Sequence, residues 1–157
     1  MLPSGASRIE RQANMSGIGT STRIIPAAVG TRRLFTPERA GRAIVLVKRI
    51  VEDLVRSHHR AQDLQESLEA AQSAGRRLLA AGAAEELLRV AATFRQCLRE
   101  LDEVGAEVKD WRLGVVDFPA RDHGREIRLC WRWGERGVAW WHEADEGCAE
   151  RKPLATL

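Results

Sequence analysis

The chain has 157 residues, 30% of them charged, with a formal net charge of +3 and a pI near 9.1, a length that one domain can stabilise through its own core without disulfides or metals. The charge is unevenly placed: residues 1 to 34 carry five arginines against one glutamate, a balance of +4, which leaves −1 over the other 123. A near-neutral body with both signs interspersed excludes a phosphate-tracking face, and no apolar run approaches the roughly 18 residues needed to span a bilayer.

Residues 1 to 33 are rich in Gly, Ser, Thr and Pro without a sustained period. They bury too little apolar surface to offset the entropy of ordering, so a disordered N-terminal tail is expected, followed by a single domain over 34–157. Met15 offers a second translation start. The tail has no apolar core of the secretory type. Three cysteines (Cys97, Cys130, Cys148) are an odd number without framework spacing, so free thiols in a reducing cytoplasm are expected.

Phe35-Thr36-Pro37-Glu38 predicts a helix start, with Thr36 as cap, Pro37 in the first turn and Glu38 complementing the dipole. Behind it Ala40, Ile44, Val47, Val51, Leu54, His58, Ala61, Gln65 and Leu68 recur at spacings of four and three, predicting one helix from 37 to about residue 72 with its apolar stripe strongest in the front half. Either Gly75 or Gly82 ends it, and Leu87, Ala91, Phe94, Leu98 and Leu101 form a second stripe up to Gly105. The two helices read as an antiparallel hairpin with coiled-coil-like pairing, over about residues 37–104.

After Gly105 the period falls to 2. Gly114–Ala120, Arg125–Trp133 and Val138–Trp141 each read as a strand, joined by turns at Asp122-His123-Gly124 and Gly134-Glu135-Arg136-Gly137. The expected fold is therefore α+β: a long antiparallel helical hairpin, a small three-stranded antiparallel β-meander over about 106–143, and a C-terminal segment over 144–157. One meander face carries Ile127, Leu129, Trp131 and Trp133, the other Glu126, Arg128, Cys130 and Arg132, and the front half of the first helix is the expected cover for the apolar face. Adjacent Trp140 and Trp141 must point to opposite faces.

Val108-Lys109-Asp110, Gly114-Val115-Val116-Asp117-Phe118-Pro119, Leu129-Cys130-Trp131-Arg132 with Gly134-Glu135, and Trp141-His142 together resemble the motifs of an uncharacterised bacterial domain-of-unknown-function family over roughly residues 34 to 154. The resemblance identifies a group and implies no chemistry. The sequence departs from that pattern where Cys148 stands for an aromatic and Glu150 for a glycine.

No phosphate-binding glycine loop, dinucleotide fingerprint, nucleophile elbow or zincin pair is present. Cys130, His142 and Cys148 lack zinc-signature spacing and fall on different elements, so no metal or cofactor is expected and a buried Cys is read as a small hydrophobe. The leading functional expectation is a non-enzymatic interaction or structural protein that self-associates, or meets another protein, through the hairpin flank or the meander edge. The alternative is an enzyme or a small-ligand or metal-binding module with a pocket between sheet and hairpin, drawing on Asp117, Cys130, His142 and Arg151. Asp117, Cys130, Trp131, Glu135, Trp141, His142 and Arg151 mark the candidate surface, with Arg151 expected to pair with Asp117 as a latch or a site. Neither a membrane nor nucleic acid is an expected partner, since only the tail arginines favour the latter.

Overall fold

The computed structural model describes residues 33–157. The tail and the second start at Met15 lie outside them. Two helices, α1 (Pro37–Ser73) and α2 (Arg77–Val104), precede five strands: β1 (Glu107–Asp110), β2 (Val115–Asp122), β3 (Arg125–Arg132), β4 (Trp140–Glu143) and β5 (Lys152–Pro153). The strands pair antiparallel in chain order. No helix among the described residues is long and apolar enough to cross a membrane.

The α1 start follows from its cap: the Thr36 side chain accepts a hydrogen bond from the Arg39 N–H at 3.3 Å, with Pro37 directly behind. Thr36→Ala is expected to lower stability by about 0.5–2 kcal/mol; an unchanged urea midpoint would show that the cap contributes nothing. The helix ends at Ser73, and beyond its cap Ala74 the chain turns at Gly75, which takes φ +67° while its N–H reaches Gln72 O and the Arg76 N–H reaches Ala71 O. That pair of hydrogen bonds closes the last turn and selects Gly75 over Gly82, which lies inside α2.

The sheet has five strands rather than the expected three. β1 contributes only Val108 to the interior and β5 is two residues long with a proline, so neither is long enough to show alternation. Proline is tolerated in β5 because it forms the sheet edge. The strand expected over Val138–Trp141 starts at Trp140 and runs on to Glu143.

The core lies between α1 and one sheet face: Ala40, Ile44, Val47, Val51 and Leu54 meet Val116, Phe118, Leu129 and Trp131. From α2 only Cys97 and Leu101 are buried; Leu98, expected in the same seam as Leu54, is half-buried. The hairpin residues beyond Val55 and before Phe94 lie outside this core. Trp133 leaves the expected apolar face and is exposed, because it follows the end of β3.

Gly114, just before β2, lies close against α1. It has φ +63°, and a Cβ there would lie 2.6 Å from the Trp133 Cβ and 2.8 Å from the Val51 Cγ1. Gly114→Ala therefore combines backbone strain with overpacking and is expected to cost about 2–4 kcal/mol. A loss under about 0.5 kcal/mol in chemical denaturation would mean that this contact yields freely.

A candidate metal centre on the outer sheet face

The face of β2, β3 and β4 turned away from the helices carries the polar set. Strand alternation puts Val116, Phe118, Leu129, Trp131 and Trp141 into the core and Asp117, Cys130 and His142 on the opposite side. Asp117 and Cys130 are direct cross-strand partners. His142 lies diagonally to Cys130, two residues beyond its β4 partner Trp140. All three are buried, and one donor atom from each lies within 4.8 Å of the others.

His142 has both ring nitrogens engaged. Nδ1 lies 2.7 Å from the Glu143 carbonyl oxygen, which can only accept, so Nδ1 carries a proton and donates. Nε2 faces Asp117 Oδ2 at 3.2 Å. Burial works against the charged imidazole, but the Asp117 hydrogen bond, the Glu143 carbonyl and the Asp117 charge outweigh it and hold the His142 pKa above its ordinary 6.5. The second carboxylate oxygen, Asp117 Oδ1, is buried without a hydrogen-bond partner. Such an atom is costly unless something polar or cationic meets it.

Cys130 is not free. It is joined to Cys148, 18 residues on, with Cα atoms 6.4 Å apart. This overturns the free-thiol reading and with it the observation that favoured a reducing compartment. The chain reverses after β4, and a short 3₁₀ turn, Cys148–Glu150, comes back over β3; separation along the chain could not reveal this. Cys97 alone stays a thiol, and burial pushes its pKa up.

Of the seven candidate site residues, Asp117, Cys130 and His142 converge. Trp131 and Trp141 sit in the core on the other face, where their rings fill the layer between sheet and helices. The expected Asp117–Arg151 pair does not form, because Asp117 already faces His142. Arg151 instead meets Glu135 at 2.7 Å, stacks 4.8 Å above the Trp140 ring and donates to Cys148 Sγ at 3.9 Å. Nor does the site lie between sheet and hairpin, which is filled by Trp131, Leu54 and Phe118. Sequence reasoning missed Cys148, for which the odd cysteine count gave no partner, and the Glu143 carbonyl, which no side-chain pattern reports.

The donor set is one carboxylate, one imidazole and one sulfur, a combination suited to zinc-class divalent ions. Ligand distances of about 2.0–2.3 Å put the donors of a tetrahedral zinc about 3.5 Å apart. The Nε2 to Oδ2 spacing of 3.2 Å already approaches this. The Nδ1–H bond to a backbone carbonyl is the outer support that fixes a metal-binding histidine with Nε2 forward. In the disulfide state, however, Cys130 has no thiolate to offer.

A family model described as an uncharacterized conserved protein (DUF2203) matches residues 33–154. No curated protein and no solved structure matches the chain.

Proposed function

The chain belongs to the DUF2203 family, whose description supplies no activity, so we propose from the site itself that the protein is a non-enzymatic metal-binding module whose reduced form holds one zinc-class divalent ion through Asp117, Cys130 and His142. The observation that carries this reading is the buried three-donor cluster with an unpartnered Asp117 oxygen. A cation held by that carboxylate offsets the cost of burying it.

The test is titration of phosphine-reduced protein with zinc or cobalt, followed by native mass spectrometry and absorption. One equivalent is expected, with a thiolate-to-cobalt charge-transfer band that is diminished in Cys130→Ser and kept in Cys97→Ala. Folded, reduced protein that takes up neither ion overturns the reading.

A second reading, self-association, is favoured by a different observation. Leu78, Leu79 and Leu88 are exposed on the part of the hairpin that lies outside the core, Leu78 at 90%. Leu78 and Leu79 are adjacent at the start of α2, and exposed apolar side chains there suit contact with another helix. Light scattering across a dilution series that reports a strict monomer removes this reading.

A further inference from the structure

We propose that the Cys130–Cys148 disulfide and a four-donor zinc site are alternative states of one redox switch, in which Cys148 supplies the fourth ligand. The inference rests on the metal-binding reading above and adds its regulation. Three donors alone leave a coordination position open, as a catalytic zinc does. Cys148 changes that: its sulfur is bonded to that of Cys130, next to the three-donor cluster but outside it, and a shift of the short turn brings it in. Two thiolates, one imidazole and one carboxylate complete a closed tetrahedral shell with no position for a substrate, which assigns the ion a structural and regulatory role.

The two sulfurs are not equivalent. Cys130 is buried in β3 and paired on both sides, whereas Cys148 is half-exposed on the short turn. An incoming low-molecular-weight thiolate therefore attacks Cys148 Sγ, forming a mixed disulfide and releasing Cys130 as the thiolate. A second thiol resolves the mixed disulfide. Over the cycle the protein disulfide gains two electrons and two protons while two thiols become one small-molecule disulfide. Zinc binding then releases the protons of the two protein thiols. In the reverse direction a small-molecule disulfide takes the two electrons back, the protein disulfide reforms and zinc leaves.

The surroundings of Cys148 suit this traffic. The Arg151 guanidinium donates to its sulfur and is held in place by Glu135 and by the Trp140 face. A fixed cation next to a half-exposed sulfur favours its thiolate, the form that reacts and ligates. Separating the sulfurs from bonded contact to the about 3.5 Å of a tetrahedral shell falls to the short turn that carries Cys148, since Cys130 is held in β3. In either state the C-terminal segment remains tied to the sheet, by a covalent bond in one and by a metal in the other.

The experiment compares oxidised protein, phosphine-reduced protein and reduced Cys148→Ser for zinc content by native mass spectrometry and for zinc affinity by competition with a chromophoric chelator. Circular dichroism verifies folding of each. One zinc is expected on the reduced protein and none on the oxidised. Oxidised glutathione should release one zinc for each disulfide formed. Cys148→Ser should bind more than about 100-fold more weakly, beyond the 10–100-fold typical of losing an outer-shell partner, and oxidised glutathione should no longer release its zinc. Cys148→Ala, which has no side-chain donor, should match Cys148→Ser. Undiminished affinity in both Cys148 variants overturns the switch and leaves the three-donor reading standing, whereas equal zinc uptake by oxidised and reduced protein overturns both, because Cys130 offers a thiolate only when reduced. Absence of binding by every reduced, folded sample overturns both.

Discussion

Trp131→Ala is expected to lower the unfolding free energy by about 3–5 kcal/mol, near the top of what a core truncation costs. Trp131 is the largest fully buried side chain, with no measurable exposure, and it sits in the central strand with α1 packed over it. Its indole N–H donates to the Glu135 carbonyl at 3.2 Å, so the truncation opens a cavity and leaves that acceptor short of a partner. The large loss is expected in denaturation followed by circular dichroism, which avoids the removed fluorophore. Trp133→Ala is the matched control: Trp133 is 43% exposed, and a change within about 0.5 kcal/mol is expected there. Equal losses in the two variants would mean that burial does not distinguish them.

His142→Ala in the oxidised protein is expected to cost a similar amount, about 3–5 kcal/mol, because it strands Asp117 as a buried carboxylate. Both side chains are at most 2% exposed, and Asp117 Oδ1 already lacks a partner. Adding Asp117→Asn to His142→Ala should recover part of the loss, and the difference in a double-mutant cycle measures the coupling. The pH dependence has a definite sign. His142 is held above its ordinary pKa of 6.5, so its stabilisation is fully present below 6.5 and is lost as pH rises through the raised folded value. The melting temperature of the oxidised protein should therefore contain a step downward above pH 6.5 that is absent in Asp117→Asn. A step of the same size in Asp117→Asn would assign it to another group.

Periodicity made the two helices and the central strands legible, since Ala40, Ile44, Val47, Val51 and Leu54 repeat often enough for a face to stand out. The strands at the margins were not legible. Glu107–Asp110 and Lys152–Pro153 are too short for an alternating pattern, and Pro153 counts against a strand anywhere except an edge. Gly75 and Gly82 were equivalent as letters, and only the backbone bonds around Gly75 separate them. At the site, the sequence flagged Asp117 as an acid between apolar neighbours, and it included Cys130 and His142 among its candidates. It could not join them, because the register between β2 and β3 and between β3 and β4 is what brings positions 117, 130 and 142 together. The same gap produced the Asp117–Arg151 pairing: both charges were visible, but Glu135 is the acid that the turn after β3 delivers to Arg151.

The marginal strands bear on how copies of this chain can meet. A sheet that ends in a long, flat strand offers its unpaired amides and carbonyls as a template for a neighbour. Here one rim is two residues ending in Pro153, which has no N–H to give, beside the charged Lys152. The other rim is four residues long, has a register shift between Val108 and Asp110, and carries Lys109; past its end, Phe35 covers β2 by bridging to Ala120. Neither rim can seed a ladder between molecules, which resists growth into fibrils and disfavours a dimer formed by joining sheets. Of the two routes to self-association expected from the sequence, the meander edge is the one these rims disfavour.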